Sequence, residues 1–149
     1  MESRVRPGPR RLLLGLWVGV AIQLVGQIVD VSWHAAHGSH FRRASEQVQA
    51  HWVIWLGIAV MLVVSAVALR GGEAQASRGF VLALVASGLL AVAQAWNFWE
   101  HAHGRPAVPA HVIMMVTRVG VVVAAVWVTQ DLLGNKTEAT DFFKGVRKF

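Results

Sequence analysis

All seven histidines of the chain fall in two short windows, residues 34–51 and 101–111, and each window follows a long apolar run. The first window is preceded by an acidic residue, Asp30. Neutral imidazoles and a carboxylate are ordinary ligands of copper, zinc and iron. Ionisable side chains are costly to place in a lipid phase and are therefore functional candidates there. The two windows predict a metal or haem site at one edge of a membrane.

The pattern Q-x-x-[D/N]-x-x-x-H ends on the first histidine of each window. In each half a later histidine opens the next apolar segment, His51 in the first and His111 in the second. Positions three and four apart are neighbours on a helix, so each pattern forms one stripe. Gln23 extends the first stripe by one turn. The matched positions are Gln27, Asp30 and His34 in the first half, and Gln94, Asn97 and His101 in the second.

We expect both stripes to contribute to the site, with the glutamines orienting the ligands. Copper is the favoured metal, and iron or haem are alternatives; a haem would be held between His34 and His101. His40 is expected to lie in a loop without a role. The predicted metal ligands are Asp30, His34, His37, His51, His101, His103 and His111.

A lone arginine, Arg118, lies inside the fourth apolar run, seven residues after His111, and so faces the same way. Such an arginine needs a partner or water, and Asp30 and Glu100 are the candidates. A structural ion pair and the binding of an anionic group both stay open. Asp30, Glu100 and Arg118 are therefore the predicted catalytic residues.

The elements that position these residues follow from composition. Hydrophobic residues make up 55% of the 149-residue chain and charged residues 15%, whereas about one quarter is charged in a soluble domain. Four apolar runs approach or exceed the roughly 20 residues that cross a bilayer. They cover residues 12–33, 52–69, 80–99 and 112–133. The segment FRRASEQVQA between the first two is expected to form a short interfacial helix.

The predicted fold is an all-α membrane protein in which four transmembrane helices form two pseudo-repeated hairpins in one bundle. The whole chain, residues 1–149, is expected to form this single domain. Its repeat halves cover about residues 12–69 and 80–133, and residues 134–149 form a polar cytoplasmic tail. The first apolar run is expected to be a retained helix, because it is longer than a signal-peptide core and lacks a small-residue cleavage pattern.

Positive charge predicts the orientation. With four crossings, ten lysines and arginines lie on the side of both termini, and three, Arg42, Arg43 and Arg105, lie on the other. By the positive-inside rule, both termini are cytoplasmic and the histidine windows lie near the outer face. The ten are Arg4, Arg6, Arg10, Arg11, Arg70, Arg78, Lys136, Lys144, Arg147 and Lys148.

The composition also excludes several functions. There is no cysteine, so disulfides, thiolate metal sites and cysteine nucleophiles are excluded. The basic residues cluster at the ends of apolar runs and not along one polar face, so nucleic acid is not expected as a partner. The expected partners are the lipid bilayer, a small apolar substrate, and further copies of the chain or a larger membrane complex.

The stretch DVSWH, followed by a histidine that opens the next helix, resembles a motif in the C subunit of the copper membrane monooxygenases, the methane and ammonia monooxygenase family. The resemblance implies that Asp30, His34 and His51 bind copper at the membrane. In the second half, His111 in PAHVI looks like the histidine of the motif that opens the next helix. His101 looks like the histidine of DVSWH, and Asn97 replaces the aspartate. The resemblance extends to a metal site on the outer side and leaves the substrate undefined.

Three functions follow as alternatives. The first is a metal-dependent, monooxygenase-like oxidoreductase that acts on an apolar or lipid substrate entering from the bilayer. The second is a metal-independent acid–base isomerase or cyclase of a lipid or terpene, with Asp30 or Glu100 as the acid. The third is a metal- or haem-binding accessory subunit without catalysis.

Overall fold

A computed structural model describes residues 8–37, 44–71, 77–105 and 107–146 of this chain, and within these ranges it contains four α-helices and no strand. The predicted all-α class is therefore confirmed. All four helices are long and apolar enough to cross a membrane. The helices are α1 Pro9–His37, α2 Ala44–Gly71, α3 Ser77–Ala102 and α4 Val108–Val146.

Consecutive helices pack side by side in a bundle. The contacts of α1 with α2 and of α3 with α4 are the most extensive, α2 also packs on α3, and α1 makes the smallest contact with α4. The diagonal pairs, α1 with α3 and α2 with α4, make no backbone contact in the described residues. Two hairpins thus lie together in one bundle. That the two halves are repeats of each other stays a prediction.

The outside of the bundle is as apolar as its inside. Leu14, Val63, Val92 and Val119 are all more than 60% exposed in the isolated chain. A helix that is apolar on all sides is typical of a membrane span, because lipid takes the place of water around it. Polar side chains are instead buried inside, among them Gln23, Gln47, His51, Ser65, Ser87, Gln94, Asn97 and Thr117.

Two glycines bring α1 and α2 together. A Cβ added to Gly26 would lie 2.6 Å from the backbone nitrogen of Ile54, and one added to Gly57 would lie 2.6 Å from that of Gln23. Only glycine permits this approach, and small residues are the usual means by which membrane helices pack closely. The contact fixes the register of the pair. It sets Asp30, one turn beyond Gly26, opposite the first residues of the second membrane span.

The structure differs from the sequence prediction at the start of α2. Residues 44–50 are its first two turns and not a separate interfacial helix. No glycine or proline interrupts the chain between Ala44 and Val53, so the helix continues from the polar segment into the apolar one. The remaining residues of the predicted interfacial helix, 41–43, lie outside the described residues.

The connection from α3 to α4 is tight. Gly104 has a φ of 66°, the left-handed conformation in which glycine commonly ends a helix. The next helix begins at Val108 with Pro109 in its first turn, where proline is favoured. The backbone of α4 then continues as a helix to Val146, through most of the segment predicted as a polar tail.

Candidate metal centre

Three side chains from the first two helices form a group that can hold a metal ion: Asp30 and His34 on α1 and His51 on α2. We call them the ligand triad. One ligand atom from each lies within 4.8 Å of the others. The Asp30 Oδ1 atom is 3.4 Å from Nε2 of His34 and 3.2 Å from Nε2 of His51. Sequence spacing predicted that these three would meet.

The tautomer of His51 follows from its other ring nitrogen. Nδ1 lies 2.7 Å from the carbonyl oxygen of Gln47, and because a carbonyl oxygen only accepts, Nδ1–H donates this bond. In the neutral ring Nε2 then carries a lone pair, and that lone pair faces the Asp30 carboxylate. Oδ1 of Asp30 is buried and has no hydrogen-bond partner among the described residues. A metal ion between the two acceptors satisfies this contact, as does a proton that converts His51 into an imidazolium.

The distances suit a metal ion. Two ligand atoms that each lie about 2.1 Å from one tetrahedral ion are roughly 3.4 Å apart. The observed separations of 3.2 and 3.4 Å match that value. A metal-binding histidine commonly donates its second N–H to a backbone carbonyl, which fixes the ring, as His51 does with Gln47. The triad therefore has both the ligand spacing and the supporting hydrogen bond of a metal site.

Gln47 is a site residue that the sequence analysis missed. It is 2% exposed, and its side-chain amide donates to the Phe98 carbonyl on α3 at 2.8 Å, while its own carbonyl holds His51. One residue thus orients a ligand and joins the two hairpins. Its position one helical turn before His51 was the available signal.

Two more histidines extend the triad into the second hairpin. The ring centroid of His34 lies 6.1 Å from that of His101, which in turn lies 6.0 Å from that of His111. In His111, Nδ1–H donates to the Ala107 carbonyl at 2.7 Å, so Nε2 carries the lone pair in the neutral ring. The structure thus brings the two predicted stripes together and places four imidazoles in one row.

Three other predicted site residues do not join this row. His37 stacks on Trp33 at 4.7 Å between centroids, His103 packs on Trp99 at 4.5 Å, and both are exposed. Oε1 of Glu100 accepts a hydrogen bond from Trp96 Nε1 at 2.9 Å on the same helix. His40 lies outside the described residues.

Arg118 is half-buried on α4, and no described carboxylate lies within ion-pair distance of it. Of the two partners expected from the sequence, neither Asp30 nor Glu100 forms the ion pair in the described residues. Asp30 is directed to the histidines instead.

The chain matches no protein-family model, no curated protein and no solved structure. The candidate site therefore stands on its own geometry: a carboxylate and four imidazoles at one end of an apolar four-helix bundle.

Proposed function

We propose that this protein is a membrane metalloprotein, and that its metal-dependent activity is the oxidation of an apolar or lipid substrate that enters from the bilayer. The observation that carries the proposal is the position of Asp30 Oδ1 between two imidazole Nε2 atoms from different helices. Nitrogen and oxygen ligands without thiolates suit copper or iron. Copper is favoured because the DVSWH stretch resembles the copper-binding motif of the membrane monooxygenases.

The proposed reaction resembles that of a monooxygenase. One atom of O₂ enters a C–H bond of the substrate and the other leaves as water, with two electrons and two protons from an external reductant. The metal would supply the activation of oxygen. Asp30, His34 and His51 would hold it, with His101 and His111 completing the ligand set. Gln47 would keep His51 in the required tautomer through its carbonyl, and the apolar surface of the bundle would admit a lipid-soluble substrate.

The test is bound metal per chain. The detergent-purified protein is loaded with copper or iron, freed of excess ion, and measured by elemental analysis. We expect about one bound ion per chain, and Asp30→Asn should lose most of it because the anionic ligand is gone while the shape is kept. Asp131→Asn is the matched control, since Asp131 lies near the far end of the α4 span and should leave metal content unchanged. A folded wild-type protein that retains neither metal would overturn the proposal.

Haem binding is the second candidate, because the rings of His34 and His101 lie 6.1 Å apart on helices that face each other across the bundle. An absorption spectrum separates the two, since haem gives a Soret band and a bare copper or iron site gives none. Acid catalysis without metal would instead leave activity in the metal-free wild type and abolish it in Asp30→Asn.

A further inference from the structure

The line of contact between α1 and α4, which we call the α1–α4 seam, contains a cavity. Near one end the seam is closed by a hydrogen bond from Trp17 Nε1 to Thr129 Oγ1 at 3.0 Å. Beyond it lies a cavity of ≈ 10 Å³, room for about one water-sized polar group. α1 and α4 supply most of its walls, and Met61 on α2 and Leu90 on α3 complete them. The residues from α1 and α4 are Val20, Gln23, Leu24, Arg118, Val121 and Val122.

The two polar residues of this cavity present unpaired donors. Gln23 is only 4% exposed, and its Nε2 atom has no hydrogen-bond partner in the described part of the chain. The Nε atom of Arg118 is likewise buried and without a partner there. A guanidinium group can only donate, and buried donors left unpaired are costly. A ligand that satisfies them must bring acceptors, and negative charge favours it further.

The depth of Arg118 restricts the ligand. Arg118 lies ten residues after the first residue of α4, which at 1.5 Å per residue is about 15 Å along the helix. The apolar span of α4 covers Val108–Leu133, so the backbone of Arg118 lies well inside a hydrocarbon core that is about 30 Å thick. A phospholipid head group stays at the membrane surface, whereas a single acidic group on an alkyl chain reaches this depth.

We infer that Arg118 and Gln23 bind the carboxylate of a lipid-soluble, single-chain acid that enters through the α1–α4 seam. The cavity has room for one carboxylate oxygen, which can accept from the Nε–H of Arg118 and from the Gln23 amide, while the rest of the acid lies outside the cavity along the seam. Leu24, Val121 and Val122 give the seam an apolar wall for the alkyl chain. This inference names a substrate class for the proposed function. It rests on that function only where the acid is called a substrate, because binding of the acid does not depend on it.

The experiment measures binding of radiolabelled oleate and of its uncharged methyl ester to the metal-free, detergent-purified protein. We expect oleate to bind more tightly than the ester by roughly 10–100-fold, the value of a hydrogen-bonded charge. Arg118→Gln should remove this preference, and Arg118→Lys should keep only part of it, because lysine lacks the planar fork. The matched control is Arg105→Gln, since Arg105 packs on Trp99 at the end of α3 and should not affect binding.

A second pair of variants keeps the test valid if Arg118→Gln does not fold. Gln23→Leu is nearly isosteric and should weaken oleate binding by about 3–10-fold, the value of a neutral hydrogen bond. Gln130→Leu, on the exposed face of α4, should not. Equal binding of oleate and ester, or no effect of Gln23→Leu, would overturn the inference. The restriction to single-chain acids would be overturned if a two-chain phosphatidic acid bound as tightly as oleate and lost this binding in Arg118→Gln. Because no metal is present, these outcomes are independent of the metal proposal.

Discussion

Asp30 on α1 and His51 on α2 face each other with 3.2 Å between Oδ1 and Nε2, while the opposite nitrogen of the imidazole donates to the Gln47 carbonyl. The hydrogen bond to Gln47 determines which ring nitrogen of His51 carries the proton. Because the proton of the neutral ring lies on Nδ1, the Asp30 side of His51 presents a lone pair. The pair can therefore share a proton or a metal ion, and its spacing fits a metal ion.

Replacing His51 tests this relationship. We expect His51→Gln to weaken metal binding by more than the roughly 10–100-fold that the loss of an outer hydrogen-bond partner causes. His103→Gln is the control, because His103 is exposed and packs on Trp99. Metal affinity is measured by competition with a chelator. Equal losses in the two variants would contradict the assignment of His51 as a ligand.

The glycine contact between α1 and α2 predicts a stability effect. Gly57→Ala would place a methyl group 2.6 Å from the Gln23 backbone nitrogen, and such overpacking costs about 1–3 kcal/mol. Gly88→Ala has open space around the new methyl group and should be neutral or stabilising by about 0.5–1 kcal/mol. Thermal unfolding in detergent, followed by circular dichroism, compares the two. Similar melting temperatures would show that the helices are not held this closely.

The link from Gln47 to Phe98 predicts a weaker contact between the hairpins when the donor is lost. Gln47→Glu cannot donate to the Phe98 carbonyl when ionised, and an unsatisfied buried group costs about 1–3 kcal/mol. Gln49→Glu, two residues along at an exposed position, introduces the same charge without that cost. The measurement is again thermal unfolding, and a loss of stability confined to Gln47→Glu is the expected outcome.

The orientation of the chain is predicted from charge alone. Reporter fusions after residue 75 and at the carboxyl end should both report the cytoplasm, because ten basic residues are predicted on that side and three on the other. An external signal from either fusion would reverse the orientation or change the number of crossings. The histidine row would then no longer lie near the outer face.

The sequence was sufficient to predict the number and class of the helices, because run length and hydropathy determine what can cross a bilayer. It did not predict where α2 begins. Hydropathy marks the membrane boundary near His51, but a helix continues past that boundary whenever nothing in the backbone stops it, and here it begins at Ala44.

The site was predictable where helical periodicity alone decides which residues meet. Asp30 and His34 are four residues apart and share a face. Glu100 and His101 are adjacent on α3, so their side chains point about 100° apart. Both therefore cannot face the same metal site. The positions of His37 and His103 depend on stacking with Trp33 and Trp99. The tautomer of His51 depends on a backbone carbonyl, and no sequence pattern reports such contacts.

All three members of the ligand triad lie between residues 30 and 51, within α1 and α2 alone. A nascent chain that has inserted only its first two helices therefore already carries the complete triad. Under the proposed function, metal would therefore be acquired during synthesis, before α3 emerges from the ribosome, and a bound ion would then hold the first hairpin together while the second is still being made. Arrest of translation at a point where α2 has left the ribosomal tunnel and α3 is still inside it, followed by measurement of bound metal on the stalled chain, would reveal this order of assembly.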